Sequence, residues 1–206
     1  PLAATADHNT QFPAALHQQV QELALNFYAL PEQYGGVAAE QSVVSNILIA
    51  EDLGRGDFSL AAALLSTFSV INALTRWGNV AVQSQYLSAF SQDSDIQATI
   101  ASQENTPAFN PLQLKTTATA HDNGFLINGE KTLVVLGASA DIILVTAMFN
   151  AEPEVFIVER NESIAIKASP AMGLRAAETV TLQFNDTPAQ RLSDNDFDYA
   201  AFLDLG

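Results

Sequence analysis

The sequence predicts an α+β protein, with an N-terminal all-α domain over residues 1–95 and a small β-barrel domain over residues 96–196. Two observations carry that prediction. Apolar residues recur with a helical period in the first half and gather into short β-branched runs in the second, the change falling near residue 95. A chain of 206 residues that is 48% hydrophobic can also bury a substantial core. Residues 197–206, "FDYAAFLDLG", read as the first turns of a further, truncated helix.

The elements follow in order. After Pro13, apolar residues at Leu16, Val20, Leu23 and Phe27 line one face of an amphipathic helix. "PEQYGG" (31–36) breaks the pattern with a proline and two glycines. Val43, Val44, Ile47, Leu48 and Glu51 mark a second helix ending near Gly54. The Ala-rich segment 59–74, "SLAAALLSTFSVINAL", reads as a buried core helix, being shorter than the roughly 18 apolar residues that cross a bilayer. A fourth helix is expected from about Val80 to Phe90. Beyond it, "IQATIA", "KTTATAH", "FLINGEKTLVV", "DIILVTAMF", "EVFIVE" and "TVTLQF" are short strands, the pattern of a small barrel or sandwich. "HDNGF" (121–125) signals a tight hairpin, and "NGEK" (128–131) a second reversal, with Gly35, Gly36 and Gly129 as turn residues.

Composition narrows the function. A net charge of −15, with the eight basic residues scattered, disfavours nucleic acid and anionic lipid as partners. No signal peptide is evident, and the absence of cysteine removes disulfides and thiolate chemistry, which fits a cytoplasmic protein. His8, His17 and His121 have no metal-ligand spacing, so no metal site is expected. Glu51, Asp52 and Asp57 could pair as acid and base but read as helix caps or solvent-facing groups.

The order of several segments resembles the acyl-CoA dehydrogenase family. "PEQYGG" looks like that family's P-E-x-Y-G-G turn, "EDLGRGDFSL" (51–60) is similar to its E-x-x-x-x-x-D-x-S junction, and "WGNVAVQSQYL" (77–87) to its G-[ST]-x-x-Q-x-x-x-Y-L stretch, with Gln83 displaced by one place. "KTTATAHDNGFLINGEKTLVV" (115–135) resembles the family hairpin, and "ADIILVTA" (140–147) and "MGLRAAETVTLQF" (172–184) the strands that follow. The resemblance implies a helical domain and a barrel, with the family's C-terminal four-helix bundle lacking from these residues. It further implies FAD between barrel and bundle, an acyl-CoA substrate as in fatty-acid metabolism, and a homo-oligomer or a heteromeric partner subunit. The Glu that removes the α-proton would lie in the bundle, so no catalytic residue is expected here.

The family's flavin loop is T-E-P-x-x-G-S-D, its Thr bonding the flavin and its Ser the acyl-CoA. Counted from the upstream strand, "ATIASQENTPAFNP" (98–111) puts Ser102, between Ala101 and Gln103, on that Thr; counted from downstream, Gln103 takes the Thr position and Phe109 the Ser. We prefer Ser102, because a strand holds register while a loop absorbs an insertion. The second wall, Trp-Ile-Thr or Trp-Ile-Ser in the family, is Leu133-Val134-Val135. Losing a stacked ring and a buried hydrogen bond, each worth about 1–3 kcal/mol, would weaken flavin binding by a few powers of ten. The resemblance thus implies a flavin-dependent dehydrogenase. Its alternatives are a partner subunit that has lost FAD, which the missing Trp and hydroxyl favour, and a flavin monooxygenase on the same scaffold, which Phe109 would suit. Arg175, in "MGLRAAET", is expected near the active site or tied to a carboxylate as a structural residue.

Overall fold

The computed structural model describes all residues except 1, 10, 11, 14, 17, 18, 20, 21, 23–25, 38–42, 94, 123, 170, 171, 195, 196, 205 and 206. The chain forms two compact units. One is made of residues 1–96 with 171–178, the other of 97–170 with 179–206.

The first unit is helical: α1 (Leu2–Asn9), α2 (Asn26–Ala29), α3 (Val43–Gly56), α4 (Phe58–Trp77), α5 (Val80–Val82), a π-helical turn (Gln83–Leu87) and α6 (Ser88–Gln92). The expected stripe at Val20 and Leu23 lies outside the described residues, as does His17. Helix α4 starts where Asp57 accepts the amide of Leu60, and it runs 20 residues, longer than its apolar core. By length and composition it is the one helix among the described residues that could cross a membrane, but Leu60, Phe68, Val70, Ile71 and Leu74 are buried as in a core helix. Gln83 explains its own displacement within the motif. Its amide donates to the Leu74 and Thr75 carbonyls at the end of α4 while Tyr34 donates to its oxygen, so its role is to cap. The "PEQYGG" turn is a 3₁₀ turn, Glu32–Tyr34, closed by Gly35 at φ 87°. Residues 172–178 belong to this unit, with Glu178 accepting the Phe12 amide and Arg175 donating to the His8 carbonyl.

Among the described residues the second unit holds seven strands: β1 (Ala98–Ala101), β2 (Thr117–His121), β3 (Gly124–Val134), β4 (Ile142–Phe149), β5 (Glu152–Glu159), β6 (Ile164–Ala168) and β7 (Val180–Arg191). Strands β4, β2, β3, β7 and β5 pair in a closed ring, since β5 also pairs β4; β1 lies parallel to β4, and β6 pairs β7 outside the ring. The ring closes through short pairings, Thr117 with Met148 and Phe156–Ile157 with Gln190–Arg191, and Ile127, Ile143, Val145, Phe156, Leu182 and Phe184 fill the interior. The β2–β3 hairpin forms as expected, with His121 opposite Gly124 and Asp122 at φ 47°; Asn123 is outside the described residues. A short helix, α7 (Tyr199–Leu203), follows, capped by Asp198 and buried through Tyr199 and Phe202.

The expected reversal at "NGEK" does not occur. Strand β3 runs through it, and Gly129 sits instead beside a β-bulge of β7: Ile127 pairs Thr187 and Gly129 pairs Phe184, so Asn185 and Asp186 face the single residue Asn128. Its φ is +145°, and a Cβ there would stand 2.6 Å from the Thr116 Cα. Glycine is required both for the conformation and for the close approach of the chain entering β2. Gly129→Ala should therefore lower stability by at least about 2 kcal/mol in urea unfolding. Wild-type stability in that variant would mean that the bulge relaxes freely.

Candidate functional site

Two stretches singled out in the sequence meet at one end of the barrel unit. Strand β1 ends at the buried Ala101, and the chain beyond it stays tied to β3: the Thr132 amide donates to the Gln103 carbonyl at 2.8 Å. Strand β3 itself carries a bulge here. Lys131 pairs Leu182 and Val134 pairs Val180, so Thr132 and Leu133 face the single residue Thr181. The bulge holds Leu133 at φ 54° and leaves it 49% exposed. Val134 turns into the barrel core, and the half-buried Val135 accepts a hydrogen bond from Thr99 at 2.6 Å through its carbonyl. Ala101 and Val134 are buried and present no surface to a ligand. Half-buried Ser102, exposed Gln103, Leu133 and Val135 offer side-chain surface. Phe109 is half-buried in the loop that continues from Gln103, next to Ala108 at φ 50°. Arg160 fixes the turn after Val135 by donating to the Gly137 and Ala140 carbonyls.

Beneath this wall lies an ion pair that sequence reasoning missed. Lys131 and Glu104 have side chains 0% and 4% exposed, and Nζ stands 2.9 Å from Oε1. The ammonium directs its three donors to Glu104, the Ser102 carbonyl (3.2 Å) and the Thr146 hydroxyl (3.1 Å). The carboxylate accepts in addition the amides of Lys115 (2.7 Å) and Thr116 (2.9 Å). One carboxylate thus joins both ends of the loop 104–116. Burial by itself would push the Glu104 carboxyl up, but the Lys115 amide, Lys131 and the Thr116 amide together hold it below the usual carboxylate range. Burial pushes the Lys131 ammonium down to about 8, against the opposing pull of Glu104. Tyr199 closes the cluster from α7: burial pushes its phenol up to about 12, and its hydroxyl donates to the Pro111 carbonyl. The sequence did contain a signal. Ile127, Gly129 and Lys131 alternate on one face of β3, so a lysine stands in phase with core residues.

The remaining candidates have structural roles. Glu51 and Asp52 pair with Arg55 on an exposed face of α3, and Asp57 caps α4. His8 and His121 are exposed, the latter beside Asp122. Among the described residues no group of three His, Asp or Glu side chains converges as metal ligands would.

Comparison with known proteins places this geometry. Residues 1–93 match the family model "Acyl-CoA dehydrogenase, N-terminal domain" and residues 98–187 match "Acyl-CoA dehydrogenase, middle domain". The chain is 27% identical over 201 residues to cyclohex-1-ene-1-carbonyl-CoA dehydrogenase of Geobacter metallireducens, covering 93% of this chain and 52% of that protein. It is 30% identical over 165 residues to benzylmalonyl-CoA dehydrogenase of Aromatoleum aromaticum, covering 78% and 43%. The solved structure of butyryl-CoA dehydrogenase from Megasphaera elsdenii superposes with a TM-score of 0.86 over 99% of this chain and 58% of that one, at 23% identity, a likeness of fold. The chain spans about half the length of the curated relatives it matches.

Glu104→Gln would leave the Lys131 ammonium buried without its counter-charge, so urea unfolding near pH 6 should show a loss of about 3–5 kcal/mol. The folded protein releases this proton near 8 and the unfolded chain only near the ordinary lysine value, so stability from this group is present above that value and falls as pH drops through about 8. In the variant the folded state discharges Lys131 more readily still. The loss should accordingly shrink as pH rises to about 9, and a loss independent of pH would mean that the unpaired charge is not its cause.

Proposed function

The chain belongs to the acyl-CoA dehydrogenase family, and from that premise we propose that it supplies the barrel-side wall of a flavin site in an oxidoreductase that removes the α- and β-hydrogens of an acyl-CoA thioester. The observation that carries this reading is the fastening of residues 102–104 to the β3 bulge, which ties Gln103 to Thr132, the residue before Leu133, with Gln103 and Leu133 both exposed.

The residues present fit an isoalloxazine ring through chemistry different from the family pattern. Leu133 offers an apolar cover in place of an aromatic one, and the bulge directs it outward. Two observations support placing Gln103, not Ser102, at the position of the family's Thr. Glu104 then falls on the Glu of T-E-P, and it is the residue anchored in the barrel. Ala108 falls on the Gly, and it adopts the left-handed conformation that glycine favours. In that register the Gln103 amide is the available donor, and Phe109 takes the place of the Ser at the acyl-CoA. FAD, when bound, supplies the acceptor for the β-hydrogen as hydride. The protein's own residues cover the ring, orient it by the Gln103 amide and exclude water. The α-proton requires a carboxylate base, expected outside these residues, and the whole protein would work as a cytoplasmic oligomer.

A second reading keeps the fold and discards the cofactor, as a heteromeric partner subunit would. It is favoured by Val135, which stands in place of a hydroxyl, and by the loss of a stacking ring at Leu133.

The visible absorbance of the purified protein separates the two. Dehydrogenase function predicts a flavin spectrum, or uptake of added FAD, that bleaches on addition of an acyl-CoA. Leu133→Trp should tighten flavin binding by about tenfold or more, read as quenching of flavin fluorescence. A colourless protein that takes up no FAD even with Leu133→Trp and Val135→Thr would overturn the dehydrogenase and leave the partner subunit.

A further inference from the structure

The buried cluster at Lys131 lies behind the proposed flavin wall, and several of its contacts end on backbone groups of that wall. The Lys131 ammonium holds the carbonyl of Ser102, the residue before Gln103. Through Glu104 it holds the amides of Lys115 and Thr116, where the loop returns to the barrel. Its own strand continues into Thr132, whose amide holds the Gln103 carbonyl, and then into Leu133. Thr146 of β4 accepts from the ammonium and donates to the Ser102 carbonyl at 3.3 Å, closing the ring of contacts.

We propose that Lys131 is the positioning residue of this wall: its ammonium, by joining Ser102, Glu104 and Thr146, sets the backbone of Gln103 and the loop 104–116 against the Leu133 bulge. What the wall serves rests on the flavin reading; that the loop is held by this ammonium does not.

Two physical points support a positioning role over a purely stabilising one. An ion pair this deeply buried is seldom more stable than apolar residues of equal volume, because desolvation offsets the Coulomb attraction. Apolar residues could not, however, bond two backbone amides and a carbonyl at the two ends of the span 102–116. The ammonium is also close to losing its proton at physiological pH. The groups packed around it are Glu104 from the loop, Thr146 from β4, Thr116 at the start of β2, and Tyr199 from α7, whose phenol stays protonated in that range. Discharge of Lys131 would leave Glu104 with its two amides alone and free the Ser102 carbonyl.

The test compares wild type, Lys131→Met and Thr146→Val by amide hydrogen exchange at one pH, and by fluorescence titration with FAD between about pH 6.5 and 9.5. Lys131→Met should speed exchange at Lys115, Thr116 and Thr132 by at least about tenfold, the effect of one lost charged hydrogen bond, while Leu144 and Ile157 in the core stay protected. Thr146→Val, which keeps the ion pair and removes one acceptor, should show a smaller change in the same direction and keeps the test open if the lysine variant does not fold. Wild-type FAD affinity should fall as pH rises through about 8. Lys131→Met should bind more weakly and lose that pH dependence. Wild-type protection and affinity in Lys131→Met would overturn the proposal and leave the flavin reading intact. Lys131-dependent protection in a protein that takes up no FAD would sustain the positioning role and remove the flavin reading.

Discussion

A buried charge must find partners for all its donors, and the way Lys131 meets that requirement organises the barrel unit around it. Its three N–H groups take a carboxylate and a carbonyl from the loop after β1 and a hydroxyl from β4. Glu104 in turn takes two backbone amides, so neither charge depends on the other alone. The geometry explains why the pair survives burial. A carboxylate with three donors is stabilised as an anion even in a low-dielectric interior. The lysine, with more of its ammonium removed from water and only one counter-charge, is the partner nearer to losing its charge at neutral pH.

That arrangement needs the ladder between β3 and β7 to be irregular in two places. Lys131 lies between Gly129, beside a bulge of β7, and the bulge of β3 at Leu133. Glycine at the first place lets Thr116 approach within reach of the β3 backbone, and the Thr116 amide bonds Glu104. The second turns Leu133 outward while Val134 returns to the core, so strand closure and an exposed apolar side chain coexist within two residues. Regular alternation from the inward Lys131 would have pointed Leu133 into the barrel and Val134 out of it. Bulges near sites perform this re-aiming of side chains generally.

These irregularities also explain what the sequence revealed and what it hid. The core helix at 58–77, the hairpin at 121–124 and the barrel were legible because each depends on local period or turn chemistry. The bulges were not, since "NGEK" carries the same residues whether the chain reverses or runs straight past a bulge of its neighbour. The loop 102–111 was ambiguous for a related reason. Without a glycine to anchor the count, residue spacing leaves both Ser102 and Gln103 open, and the contact that anchors the loop, Glu104 with Lys131, joins residues 27 apart. Gln83 looked misplaced for want of the same information: its role depends on the end of α4, reached through a π-helical turn. Helix and strand identity is a property of short windows, whereas a site assembled from loop, bulge and buried charge is a property of pairs.

The wall also separates two things a motif normally carries together. At Ala108 and Leu133 the backbone is left-handed although neither residue is glycine, a conformation costing about 1–2 kcal/mol for residues bearing a Cβ. Such strain persists only where surrounding contacts over-determine the chain. Those contacts are on hand: Glu104 anchors one end of the loop, and Asn110 closes a turn after Ala108, accepting the Leu112 amide on its side chain and the Gln113 amide on its carbonyl. The shape of the wall is therefore held from outside the residues that line it. Lining residues on such a frame can change from ring to leucine, or from hydroxyl to valine, without the frame collapsing. Whether a flavin still binds is then decided by a small number of side-chain contacts, Gln103 and Leu133 foremost, and the fold persists in either case.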